Sequence, residues 1–484
     1  MKKIFVCAFG AFLMVGSAAG FVGFAGCGVK GRHRTHYTIE GEFLPQENKL
    51  VASMSVTVPN SSEETLEKLS FELWPNAYRE GAKYAPVSDL YSGFAYYRGI
   101  SYGGIEVTSV GGADSFEIGG EDENILSVAL FEPLFPDEEV TVSFEFEVTL
   151  ANINHRLGVG VRNVTLANFY PVLCARGEQG FLEYVYANCG DPFVSECADY
   201  ELQLTFPSEY EVAYSGVGQV TSAQGKKTLS MSAEEVRDVA CVLGKDLSCV
   251  TQDVAGVCVE YWYLVDAAPE ETLKAATESL AYFSETFGEY AYPRYTLVQT
   301  DFPYGGMEYS GLAMIASNLM REDIPAVVAH ETAHQWWYSM VGSNQFETPW
   351  LDEGLAEYSA AMFLGEHPEY EISYSDFVKQ SENGYRAYFS VKSQLSGEAD
   401  TGMNRALTSY SGEYEYRNLA YDKGVIMLDR VRSVTGERAF LAAMRRYFEK
   451  CSGKIASPED FISCFRGSNA EELFRSFVDG KCVI

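Results

Sequence analysis

Apolar and polar residues alternate strictly along two stretches in the first half of the chain. In Ala52-Ser53-Met54-Ser55-Val56-Thr57-Val58 every second side chain is apolar. Further on, Val140, Val142, Phe144, Phe146 and Val148 fall on one face, and Thr141, Ser143, Glu145 and Glu147 on the other. A period of two belongs to a strand with one face against a core. Turn-forming pairs such as Pro59-Asn60, Gly103-Gly104 and Gly119-Gly120 punctuate these runs. From Tyr37 to about Val265 the pattern predicts a large antiparallel β domain with few helices.

Near Ala267 the period lengthens. Leu273, Ala276, Leu280, Phe283 and Phe287 form one helical stripe, with Gly288 as the stop, which predicts a helix over 269–287. A strand at 295–300, a glycine-rich bend at Gly305-Gly306 and a second apolar strand at 312–316 follow. Helical patterns then cover 323–341, 350–365, 421–435 and 437–450. The chain thus divides into a targeting segment (1–27), a β domain (28–266) and an α+β domain (267–484).

Composition narrows the function classes. With 47% hydrophobic and 14% aromatic residues the chain can bury substantial cores. Its 36 basic against 68 acidic residues give a formal charge of −32, which excludes a nucleic-acid partner, because phosphate neutralisation needs clustered Lys and Arg. Only the short run at 30–34 is basic.

Lys2 and Lys3 precede an uncharged stretch over 4–29, the pattern of a signal peptide or membrane anchor. Phe24-Ala25-Gly26-Cys27 resembles the lipobox of bacterial lipoproteins, with Cys27 as the lipidated residue. Either device places the remainder outside the cytoplasm, held at a membrane through its amino terminus or secreted. Nine of the eleven cysteines lie beyond Cys27, and no pairing can be read from their spacing.

The segment His330-Glu331-Thr332-Ala333-His334 lies inside a predicted helix. Residues four apart project from one helix face, so both imidazoles can reach one ion at about 2.0–2.1 Å. Glu331 can touch the attacking water without being a ligand, as a general base must. A catalytic zinc takes three protein ligands and keeps one position open. Glu353, in Trp350-Leu351-Asp352-Glu353-Gly354-Leu355-Ala356-Glu357-Tyr358, supplies the third after 18 intervening residues. Glu357 shares its helix face and can orient a ligand histidine through the second ring nitrogen. An isolated HExxH is only moderately specific; the correctly spaced Glu353 sharpens it. The expected cofactor is one zinc ion per chain.

Gly305-Gly306-Met307-Glu308-Tyr309, followed by HExxH and Trp-Leu-Asp-Glu-Gly-Leu-Ala-Glu-Tyr, resembles the aminopeptidase-N-type gluzincins. Phe71-Glu72-Leu73-Trp74-Pro75-Asn76-Ala77, Gly190-Asp191-Pro192-Phe193 and Ala198-Asp199-Tyr200 look like that family's N-terminal β domain, so the likeness covers most of 37–484. It implies a saddle- or sandwich-like β domain packed on a thermolysin-like α+β catalytic domain.

It also implies roles. Gly305, Gly306, Met307 and Glu308 bind substrate, Glu308 holding its free α-amine. Tyr421, in Tyr421-Asp422-Lys423-Gly424, hydrogen-bonds the developing oxyanion, and Glu357 stands behind a zinc histidine. Tyr309 replaces the family's asparagine. The sequence ends at Ile484, before the helical domain that roofs the active site in that family, which implies a more open cleft.

These features point to a zinc metallopeptidase that releases amino-terminal residues from peptides. Two alternatives stay open: an endopeptidase or oligopeptidase using the same metal, and a surface-anchored binding protein that turns over nothing. The complete set of His330, Glu331, His334, Glu353 and Tyr421 speaks against the second.

Overall fold

Strands Lys49–Pro59 and Glu139–Thr149 pair antiparallel, with Met54 opposite Phe144 and Val56 opposite Val142. Their apolar rows are buried and their polar rows face outward, as alternation requires. They belong to a seven-stranded sheet ordered 217–223, 226–236, 198–207, 36–44, 49–59, 139–149 and 104–111. One pair departs from the antiparallel expectation: His36–Leu44 runs parallel to Ala198–Pro207. A parallel pair needs a long crossover. The intervening residues include the strands of one four-stranded sheet and part of a second. Two segments that carry the family likeness also meet here, Trp74 packing edge-on against Tyr186 and Phe193.

This computed structural model describes residues 34–397, 399–467 and 469–481. The targeting segment with Cys27 lies outside the described residues. Among the described residues no helix is long and apolar enough to cross a membrane. Cys174, Cys189, Cys197, Cys241, Cys249, Cys258, Cys451 and Cys464 are free thiols.

The second sheet reaches back across residue 266. Strands β1 (Ser248–Val254) and β2 (Val257–Tyr263) pair with each other, and β2 runs parallel to β3 (Arg294–Thr300) on the far side of helix α1 (Pro269–Thr286). With β4 (Gly306–Tyr309) and β5 (Leu312–Ala316) they make five strands ordered β1-β2-β3-β5-β4. By sheet membership the changeover falls between Gly244 and Ser248, earlier than the composition shift suggests. Periodicity marks where a helix begins, but it does not tell which sheet the preceding strands join. The stripe expected on α1 is buried throughout, at about 1.5–3 kcal/mol for each large side chain.

Two expected helices are interrupted. Helix α2 (Ile324–Ala333) gives way to a π-helical turn over Gln335–Met340, with Trp337 at φ −105°, ψ 38°. The wide turn lets consecutive indoles both bury with satisfied N–H groups, Trp336 donating to Gly288 O and Trp337 to Ser359 Oγ, each at 2.9 Å. Helices α3 (Trp350–Glu366) and α4 (Tyr374–Ser396) follow. A second π-helical turn, Arg417–Asp422, then precedes α5 (Lys423–Thr435), so Tyr421 lies on a π turn and not on the regular helix expected from 421.

The two halves are fastened by Arg237, only 2% exposed. Its guanidinium donates to Tyr338 O at 2.6 Å and to Ser195 O and Lys454 O at 2.7 Å. Each buried polar group left unpaired costs about 1–3 kcal/mol. Arg237→Met should therefore lower stability to urea by at least about 3 kcal/mol; a loss under about 1 kcal/mol would show that the three carbonyls find other donors.

Candidate metal centre

Helix α2 brings His330 and His334 onto one face, and their Nε2 atoms lie 3.0 Å apart. Glu353, in the first turn of α3, places Oε2 at 3.4 Å from His330 Nε2 and 3.3 Å from His334 Nε2. Ligands tetrahedrally arranged around zinc at about 2.0–2.1 Å stand about 3.3–3.4 Å from one another, so the triangle fits a zinc ion. The far ring nitrogens face carboxylates: His330 Nδ1 lies 2.7 Å from Glu357 Oε2, and His334 Nδ1 lies 2.7 Å from Asp352 Oδ1. The Asp352 contact is a hydrogen bond that fixes the Nδ1–H tautomer of His334 and turns its Nε2 lone pair inward, toward the point that His330 Nε2 also faces. Glu353 Oε2 is buried with no hydrogen-bond donor. Such a donor set suits a borderline cation such as Zn2+.

Close backbone approaches set this geometry. At the crossing of α3 and α5, a Cβ on Gly424 would lie 2.7 Å from Gly354 Cα. A Cβ on Gly354 would in turn lie 3.1 Å from Ala420 O and Gly424 Cα, so the two glycines let α3 come near the segment that carries Tyr421. The Tyr421 ring stacks on His330 at 5.6 Å between centroids and 11° between planes. Tyr416 meets Tyr421 edge-on at 5.6 Å and donates from its hydroxyl to Glu353 Oε1 at 3.0 Å. Burial, and then Glu353 and Asp191, push the Tyr421 hydroxyl far up, so it stays a donor.

Gly306, the first residue of β4, lies against Glu331: a Cβ there would meet Oε1 at 2.3 Å. Burial pushes the Glu331 carboxyl up to about 7, against the pull of His330 and His334. Glu308 sits on β4 itself, two residues beyond Gly306. Strand alternation separates its side chain from that of Met307, whose Sδ accepts from the buried Arg156 at 3.0 Å. Glu308 is 4% exposed, and its carboxyl is raised by burial and then by Asp191.

The structure thus gathers His330, Glu331, His334, Glu353, Glu357, Tyr421, Glu308 and Gly306 in one neighbourhood, with Met307 turned toward Arg156 and Gly305 facing Val327. It also brings in residues that sequence reasoning missed. Asp352 escaped notice because neighbouring helical positions point in different directions; a buried acid beside a ligand glutamate was its only signal. Tyr416, one of 32 tyrosines, carried none. Asp191 was visible only as part of a β-domain likeness, yet it ion-pairs with Arg156 beside the metal-side acids.

Residues 271–479 match the peptidase family M1 domain. Over these residues the chain is similar to an M1 peptidase domain. Among curated relatives, aminopeptidase M1-A of Oryza sativa subsp. japonica is 22% identical over 378 residues, covering 69% of this chain and 42% of that protein. Leucine aminopeptidase 2-1 of Meyerozyma guilliermondii is 27% identical over 226 residues, covering 45% and 34% respectively. The matched region spans less than half the length of these relatives.

The M1 zinc metallopeptidase of Deinococcus radiodurans superposes with a TM-score of 0.67 at 19% identity, over 94% of this chain and 96% of that one. A two-domain M1 zinc metallopeptidase mutant solved with L-arginine gives 0.64 at 18%, over 93% and 95%. This likeness is one of fold: a β-rich domain followed by a helical catalytic region.

The carboxylates behind the histidines are expected to govern metal retention. His334→Ala should lose most bound zinc, measured by elemental analysis of protein purified without chelators. Asp352→Asn should weaken zinc binding about 10–100-fold, measured by competition with a chromogenic chelator. Unchanged zinc affinity in Asp352→Asn would remove Asp352 from the metal's support.

Proposed function

We propose that the chain is a zinc-dependent aminopeptidase, holding one zinc ion through His330, His334 and Glu353. The observation that carries the exopeptidase half is Glu308, a buried carboxylate on the strand that borders the metal side chains. An enzyme that trims from an end must recognise that end, and a carboxylate opposite the α-ammonium is the simplest reader. The names of the curated relatives, aminopeptidases, support the same reading.

Bound at this site, zinc would supply a Lewis acid for the scissile carbonyl and a water acidified to a pKa of about 7. Glu331 takes the proton of the attacking water and passes it to the leaving amine. Tyr421 donates a hydrogen bond to the oxygen that gains charge. Asp352 and Glu357 hold the two imidazoles in register. Glu308 pairs with the substrate's ammonium, and β4, an edge strand, offers its backbone to an extended peptide.

Glu331→Gln keeps shape and loses the base, so zinc should remain while turnover falls at least ~10²-fold. Glu308→Ala leaves a desolvated ammonium unpaired and should slow cleavage of free-amine peptides at least ~30-fold with zinc retained. N-acetylated versions of those peptides should be poor substrates for the wild type, scored by mass spectrometry of the products. Internal cleavage of blocked peptides at comparable rates would replace the aminopeptidase reading with an endopeptidase one.

A further inference from the structure

Gln345 stands in the loop between the π turn at 335–340 and α3, and is 2% exposed. Its Nε2 donates to two acids, the carboxylate of Asp352 and Glu308 Oε1, the latter at 3.4 Å. An amide placed between two carboxylates must turn its NH2 toward them, since its own oxygen would meet only acceptors. One amide carries two N–H groups, one for each acid. Asp352 in turn contacts His334 Nδ1 at 2.7 Å. A continuous path therefore runs His334–Asp352–Gln345–Glu308, and ligand-competent atoms of Glu308, His334 and Asp352 all lie within 4.8 Å of one another. Carboxylates this close and this buried repel strongly unless a donor stands between them.

The flanks of Gln345 are fixed by packing rather than by the site. Phe346 stacks on Tyr184 at 4.4 Å and 20°, and Asn344 Nδ2 donates to Tyr184 Oη at 2.7 Å. The backbone oxygen of Phe346 accepts from Leu407 N at 2.8 Å. With both neighbours anchored, the side chain has one direction in which to reach, and it reaches between the two acids.

We propose that Gln345 is a positioning residue that ties recognition of the substrate's amino terminus to the metal centre, an inference that rests on the aminopeptidase reading above. It aims the Glu308 carboxylate at the ammonium and braces Asp352 behind His334. Terminus reading and metal support thus share one amide.

Gln345→Leu keeps most of the volume and removes both N–H groups. In the zinc-loaded full chain, KM for free-amine peptides should rise about 10-fold, the worth of one hydrogen bond to a charge, while kcat per bound zinc changes less than about threefold. Release of zinc to a chelator should quicken by about 10-fold, a readout independent of turnover. Gln345→Glu, similar in shape but an acceptor where a donor stood, should do worse in both assays. If the leucine variant does not fold, Gln345→Asn, one methylene shorter and able to reach only one acid, is measured in its place. An unchanged KM, a loss confined to kcat, or unaltered zinc release would overturn the proposal. A wild type that cuts N-acetylated peptides as fast as free ones removes the aminopeptidase reading itself. A wild type that discriminates, with a Gln345→Leu variant that keeps its KM, removes only the role of Gln345.

Discussion

Asp191, Glu308, Glu331, Asp352 and Glu353 are each buried, and they lie in one neighbourhood. Carrying an ionised carboxylate into a protein interior costs several kcal/mol unless it is paired. The rest of the site can be read as the compensation for this crowding. Arg156 answers Asp191. His334 answers Asp352, and the two imidazoles converge on Glu353. For Glu353, burial alone would raise the carboxyl, but the imidazoles of His330 and His334 beside it outweigh burial and hold it well below the usual carboxylate range. A divalent cation held by His330, His334 and Glu353 would complete the balance.

The β half takes part in this balance. Arg156 comes from that half and lies against Met307 of β4, while Tyr184 anchors the loop that carries Gln345. Arg237 fastens carbonyls of both halves. The β half is thus one wall of the site, and its stability bears directly on how sharply the catalytic side chains are aimed.

Much of this was legible in the sequence because it rests on local period. Helical spacing alone predicts that His330 and His334 share a face and that Glu353 and Glu357 do too; strand alternation predicts the buried row from Val142 to Val148. What stayed hidden depends on contacts between distant segments. Asp352, Tyr416 and Gln345 acquire their roles only when α3, the π turn at 417–422 and β4 meet. The π turn at 335–340, and Tyr421 and Asp422 at the end of the one at 417–422, were read as regular helix because apolar period does not separate the two; the first lies where two consecutive indoles take separate partners. The hairpin at 248–263 was assigned to the β domain because a strand's pattern carries no label for its sheet.

The crossing at Gly354 and Gly424 has a consequence for how this site can change over time. Most tight contacts between helices can absorb an enlarged side chain on one partner by a smaller one on the other. Here both partners already carry no side chain, so no compensating exchange exists. A gain of even one methyl at either position must be absorbed by moving a helix axis, and with it Glu353 relative to Tyr421. Other parts of the core can drift through paired substitutions that conserve volume, whereas this point of contact is pinned on both sides.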